Sequence, residues 1–111
     1  MIPSISEINR LHARLCSGIS DPIRITILYA LAEAPRNVTQ LTETLGLPQS
    51  TVSRHLAVLR QTGLVVTERD GRQVDYMLTD DRVIETLDIL RSILQDRVNK
   101  EADLLSDLPS D

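Results

Sequence analysis

The stretch Leu45-Gly46-Leu47-Pro48-Gln49-Ser50-Thr51-Val52-Ser53-Arg54-His55-Leu56-Ala57-Val58-Leu59, continued by Arg60-Gln61-Thr62-Gly63, decides the fold of this chain. At about 100° per residue, Val52, Leu56 and Leu59 fall within one narrow arc, the buried side of a helix that starts near Gln49. Gly46 closes the short helix before it and Gly63 stops this one. With Val52 at zero, Ser53 falls near about 100°, Ser50 near about 160°, Gln61 near about 180° and Arg54 near about 200°, with Ala57 among them. His55 lies near about 300°, beside the buried arc, as a packed and hydrogen-bonded ring would. No acid occurs from Gln49 to Gln61. A solvated face ordinarily mixes acids with bases. Small, hydrogen-bonding and cationic side chains instead suit a helix in a DNA major groove, where small residues permit close approach and Arg grips guanine O6 and N7.

Outward from this helix the pattern is equally readable. Downstream the period changes to two: Leu64-Val65-Val66-Thr67-Glu68-Arg69 and Arg72-Gln73-Val74-Asp75-Tyr76-Met77-Leu78 flank Asp70-Gly71, a strong hairpin signal. In the second run Val74, Tyr76 and Leu78 alternate with Gln73, Asp75 and Met77, which predicts a half-buried strand. Upstream, Ile5, Ile8, Leu11 and Leu15 place one apolar stripe on a first helix. Asp21-Pro22 starts a second, running through Ile25, Leu28, Leu31 and Ala32 until Ala34-Pro35 stops it. Asn37 or Thr39 caps a short third helix through Leu41 and Leu45. A last long helix begins near Asp81, with Val83, Leu87, Leu90, Leu94 and Val98 along one seam, widened by Ile84 and Ile93. The result is an α+β, mostly helical chain: a winged helix-turn-helix of five helices plus a two-stranded β-hairpin wing. The pattern weakens after Asn99, so residues 1–98 are expected as the domain and 99–111 as an acidic tail, with Leu108-Pro109-Ser110-Asp111 a frayed end.

Composition narrows the function. With 111 residues, 41% hydrophobic and 25% charged, the chain fits one domain that buries roughly two-thirds of its unfolded surface. It has no Phe, no Trp and two Tyr, so the core is aliphatic and base stacking on single-stranded nucleic acid is excluded. The net charge of −4 means that a DNA-binding role rests on a local patch. That patch exists: residues 36–73 carry five arginines against three acids, whereas residues 79–111 carry nine acids against four bases. The lone Cys16 excludes an internal disulfide and a Cys-only zinc site in one chain. No apolar run or leader pattern suggests a membrane, so a cytoplasmic location is expected. There is no nucleophile elbow and no Gly-rich phosphate loop, so an enzyme is not expected. The candidate DNA contacts are Gln49, Ser50, Thr51, Ser53, Arg54 and His55 on the fourth helix, His55 reaching a phosphate at most. Arg69 and Arg72 join them, bracketing the hairpin tip where a wing meets backbone or minor groove.

The run Asp21-Pro22-Ile23-Arg24-Ile25-Thr26-Ile27-Leu28, the stretch from Leu45 to Leu59, and Gly63-Leu64-Val65 with Arg69-Asp70-Gly71-Arg72 and Tyr76 resemble the ArsR/SmtB family of bacterial and archaeal repressors. The resemblance covers about residues 5–98. It implies a homodimeric winged-helix repressor that binds double-stranded DNA at an imperfect inverted repeat and dimerises through its first and last helices. The broad apolar stripes on those two helices agree. Pro48 stands where the family often has a Ser able to cap the recognition helix, so that side-chain hydrogen bond is expected to be lost. The family's usual metal sites are also expected to be absent. Asn37-Val38-Thr39-Gln40-Leu41-Thr42 has no cysteine, the last helix has no histidine, and Asp81, Glu85 and Asp88 make a poor zinc site with carboxylates alone. No cofactor is expected. His12 and Cys16, four apart, are neighbours on the first helix and the sole sensor candidates; otherwise Cys16 is a small buried hydrophobe and His12 an interface residue. Two alternatives stand beside the repressor without metal sites. One is a winged-helix protein-interaction module using the acidic last helix and tail; the other is a thiol- or metal-responsive repressor using Cys16 and His12.

Overall fold

The computed structural model describes residues 1–107, so the end expected to fray at 108–111 lies outside the described residues. The elements are α1 (Ile5–Ile19), α2 (Pro22–Glu33), α3 (Val38–Leu45), α4 (Gln49–Thr62), β1 (Val65–Asp70), β2 (Gln73–Leu78) and α5 (Arg82–Ser106). They fall into two units, one ending at Asp81 and the other beginning at Arg82.

Each helix of the first unit starts and stops for a local reason. Ser4 caps α1 by accepting from the Glu7 amide at 3.1 Å. Asp21 caps α2 through Ile23 at 2.8 Å, and Ala34, extended before Pro35, ends it. Asn37 and Gln40 form a reciprocal capping box on α3, each side chain satisfying the other's backbone amide. Asn37, rather than Thr39, is therefore the cap. Gly46 and Gly63 sit in the left-handed region at φ 67° and 86°, closing α3 and α4.

The core is aliphatic: Ile27, Leu28, Ala30 and Leu31 of α2, Leu41 of α3, Val52, Leu56 and Leu59 of α4, and Val65 of β1. The arc read on α4 is buried as expected. On α2 the buried set differs from the expected seam: Ile27 and Ala30 are buried, Ile25 is half-buried and Ala32 is exposed. The helix packs against α1, α3, α4 and β2, so it is apolar on several sides and no single stripe describes it.

The hairpin pairs Val65 with Leu78 through to Asp70 with Gln73, antiparallel. Its connecting residues are therefore Gly71 and Arg72, one position beyond the expected Asp70-Gly71. Gly71 has φ 63° and Arg72 a negative φ, the pattern of a II′ turn with Gly first. The alternation expected in β2 is also blurred, for Val74 to Leu78 are all half-buried. The cause lies on the strand's other edge, where Arg36 exchanges backbone hydrogen bonds with Tyr76 at 2.8 and 3.0 Å.

Gly18 is the buried residue of α1, and a Cβ there would stand 2.7 Å from Leu64 Cδ1. Gly18→Ala is expected to be nearly neutral, since about 1 kcal/mol of helix propensity offsets the displaced Leu64. Gly18→Val, with two further methyls, is expected to lower stability by about 1–3 kcal/mol in a urea unfolding curve. Equal stability of the two variants would contradict the close approach.

The second unit is one helix of 25 residues, about 37 Å long at 1.5 Å per residue. None of its residues is buried. It runs from Arg82 to Ser106 without a break, so the first residues of the expected acidic tail are helical. Glu101, Ala102, Leu104 and Leu105 are good helix formers, and Gln95 donates to Asn99 one turn on at 3.2 Å. Among the described residues no single helix is long and apolar enough to cross a membrane.

Candidate nucleic-acid interface

Helix α4 follows α3 after three residues, the turn of a helix-turn-helix. Pro48 precedes it with φ −60° and ψ 145°, and no side chain caps it; only the Pro48 carbonyl receives the Thr51 and Val52 amides, both at 3.1 Å. The first amides of α4 are thereby left facing outward, where a helix terminus favours anions.

The structure brings the sequence-predicted residues of α4 to one surface, with one exception. Gln49, Ser50, Ser53 and Arg54 are exposed, as are Ala57 and Gln61, and Thr51 is half-buried. His55 is 3% exposed and leaves the contact set. Its Nδ1 lies 3.1 Å from Arg24 Nη1, while Arg24 Nη2 donates to Ser20 Oγ at 3.0 Å. A guanidinium only donates, so Nδ1 accepts and the ring proton sits on Nε2. That atom is buried and has no hydrogen-bond partner among the described residues. The ring faces inward because position 55 borders the buried arc and α2 supplies a donor there. It pins α4 to α2 rather than reaching outward.

The basic middle segment is also smaller than its composition suggests. Arg36 donates to the Ala30 carbonyl at 3.2 Å, to Thr44 Oγ1 at 3.0 Å and to Glu33 at 2.9 Å, so it ties α2 to α3. Arg54, Arg60, Arg69 and Arg72 are exposed, and none makes a hydrogen bond or ion pair among the described residues. Arg69 stands in β1 opposite Val74, and Arg72 occupies the turn itself.

Sequence reasoning missed one feature. Ser53, Ala57, Arg60, Gln61 and Tyr76 line a shallow depression of about 470 Å³ between α4 and β2. Arg60 was within reach, since it falls near about 80° on the same wheel, beside Ser53. Tyr76 was not, because only the fold brings β2 beside α4.

On α1, His12 and Cys16 are both exposed in the single chain, so Cys16 is no part of its core. Among the described residues no three His, Cys, Asp or Glu side chains are grouped to hold a metal ion.

Comparison with known proteins agrees with this architecture. Residues 21–67 match the family model for bacterial regulatory proteins of the arsR family. The HTH-type transcriptional regulator NmtR of Mycobacterium tuberculosis is 43% identical over 76 residues, 68% of this chain and 63% of that protein. The NMR structure of the cadmium metal-sensor CMTR from Mycobacterium tuberculosis is 45% identical, with a TM-score of 0.61 over 70% of this chain and 81% of that one. A homodimeric winged helix-turn-helix DNA-binding domain from Mycobacterium bovis shares the fold at TM-score 0.77 and 21% identity, over 90% and 93% of the two chains. The chain spans 58–64% of the length of the mycobacterial regulators NmtR, SmtB and CmtR. With its recognition stretch inside the matched segment, and a solved relative covered over most of its length, the chain belongs to the arsR family of bacterial regulatory proteins and carries their winged helix-turn-helix.

Proposed function

We propose that this chain represses transcription in the cytoplasm as a homodimer, each subunit laying α4 in a major groove of an inverted-repeat operator. The observation that carries the reading is the exposed, acid-free face of α4 beside a hairpin with two arginines that have no partner among the described residues. Ser50, Ser53 and Arg54 read base edges, with Arg54 the candidate for a guanine. Gln49 and Thr51, near the uncapped helix start, hold backbone phosphate, and Arg69 and Arg72 hold the wing to the duplex. Dimerisation through α1 and α5 is supported by what each exposes: Ile5, Ile8, Leu11 and Leu15 on one, Leu90, Ile93, Leu94 and Val98 on the other. A protein-interaction module would have no need of an acid-free face on α4.

One observation favours a second reading of regulation. The relative CMTR is a cadmium metal-sensor, and Cys16 here is exposed on α1, four residues from His12. We rank this reading below the repressor that lacks the usual metal sites, since the third helix offers no cysteine and the last helix no histidine; both readings share the DNA-binding step, and they separate on whether Cys16→Ser alters release of DNA by zinc, cadmium or peroxide. No change in release would remove Cys16 from any sensing role.

The test is fluorescence anisotropy of the reduced, metal-free protein on a duplex selected from random sequence and on a scrambled one. Specific binding is expected to exceed non-specific by roughly 10³ or more. Arg54→Ala is expected to cost roughly 1–3 kcal/mol on the selected duplex and far less on the scrambled one, whereas Arg72→Ala weakens both alike. Equal losses on both duplexes for Arg54→Ala would remove it from base reading. Equal weak binding of the wild type to both would overturn the reading as a sequence-specific repressor.

A further inference from the structure

We infer that the depression between α4 and β2 seats a phosphate of the DNA backbone, with the Arg60 guanidinium and the Tyr76 hydroxyl as its donors. The inference rests on the reading of α4 as a groove-bound helix and adds a contact that joins helix and wing.

The duplex itself requires something at this place. Helix α4 has 14 residues and is about 21 Å long, whereas the major groove is about 12 Å wide. A helix that reads bases with its first turns therefore carries its last turns out over a phosphate strand. The wing reaches toward the neighbouring minor groove, and one phosphate strand separates the two grooves. That strand must pass between the C-terminal half of α4 and the hairpin, which is where the depression of about 470 Å³ lies.

Its lining has the chemistry of an anion seat. Ser53, Arg60, Gln61 and Tyr76 all carry donors, and no carboxylate is among the lining residues. Arg60 is exposed and makes no hydrogen bond or ion pair among the described residues, unlike Arg24 and Arg36, which are engaged within the fold. Tyr76 is held from both sides, paired with Thr67 on β1 and bonded through its backbone to Arg36, so its ring springs from a fixed point. A cation in the last turn of a helix also suits the helix dipole. That accounts for the charge at position 60 but not for a phenol beside it in an acid-free hollow.

The test uses the full chain, the selected duplex and the scrambled duplex, with affinities measured between 50 and 200 mM KCl. Arg60→Gln is expected to flatten the salt slope by about one unit per subunit on both duplexes, so that a complex of two subunits loses roughly 12-fold less affinity over that range than the wild type. Arg60→Lys keeps the wild-type slope. Tyr76→Phe is expected to weaken both duplexes roughly 3- to 10-fold with the slope unchanged, since a neutral donor releases no counterion. Thermal melts of the variants confirm folding, and both positions lose no buried apolar group. A wild-type slope in Arg60→Gln together with wild-type affinity in Tyr76→Phe overturns the phosphate seat, while selective binding by the wild type would leave the repressor reading standing. Wild-type binding without preference between duplexes overturns the sequence-specific reading alone, because the slope still reports the seat. No duplex binding by the wild type overturns both.

Discussion

Leu90→Glu combined with Leu94→Glu is expected to give a folded monomer whose affinity for a duplex with two half-sites has fallen by 10²–10⁴-fold. The two residues lie one turn apart on the seam of α5 and are 47% and 63% exposed. No residue of α5 is buried, so the substitutions open no cavity in the core of the first unit. A helix that also exposes Ile89, Ile93, Val98, Leu104 and Leu105 presents more contiguous apolar surface than a solvated helix does. Under the proposed function that surface faces a second copy, and two carboxylates per subunit would have to be desolvated against two more across the interface. Linking two half-site binders makes the second contact intramolecular, and its loss is the source of the expected fall. Sedimentation velocity gives the oligomeric state; anisotropy on one-half-site and two-half-site duplexes gives the rest. The variant should match the wild type on a single half-site. A variant that stays dimeric with unchanged affinity would exclude α5 from the dimer contact.

What was legible in the sequence, and what was not, follows from how far each interaction reaches along the chain. The arc of Val52, Leu56 and Leu59 was legible because a helix with one solvated face writes its burial in a period of 3.6. The caps at Asp21 and Asn37 and the stops at Gly46 and Gly63 were legible because each acts within a few residues. The inner seam of α2 was not, because a helix packed on several sides has no single stripe to find. The turn slipped by one position because Asp70-Gly71 and Gly71-Arg72 both place Gly where a positive φ is needed. His55 was placed correctly beside the core by its angle, but its partner Arg24 is 31 residues away and no local pattern announces it. The same limit hid the engagement of Arg36 and the placing of Tyr76 beside the depression that Arg60 also lines. Charge counting cannot tell a free arginine from one that ties two helices together.

Leu56→Ala is expected to lower the stability of the first unit by about 2–5 kcal/mol. The side chain is fully buried at the middle of α4, beside the fully buried Val52 and Leu59 and facing a core without a single Phe or Trp. The surroundings of a deleted isopropyl group relax only in part, so the cavity term adds to the lost transfer energy. Domains of this size have only about 5–15 kcal/mol in total, so the loss is visible as a shifted midpoint in urea with little change in slope. The comparison with Arg54→Ala, two positions away on the opposite face, makes the result informative. Arg54 is exposed and without partners among the described residues, so its truncation should leave the stability within about 0.5 kcal/mol of wild type while it damages binding. Leu56→Ala should do the reverse below its midpoint, where the surviving folded molecules still present Ser50, Ser53 and Arg54. One helix thus carries two independent functions on two faces, and crossing the two variants with the two assays separates them. A Leu56→Ala protein as stable as wild type would mean that α4 is not packed through this face, and the outward face would then lose its meaning as well.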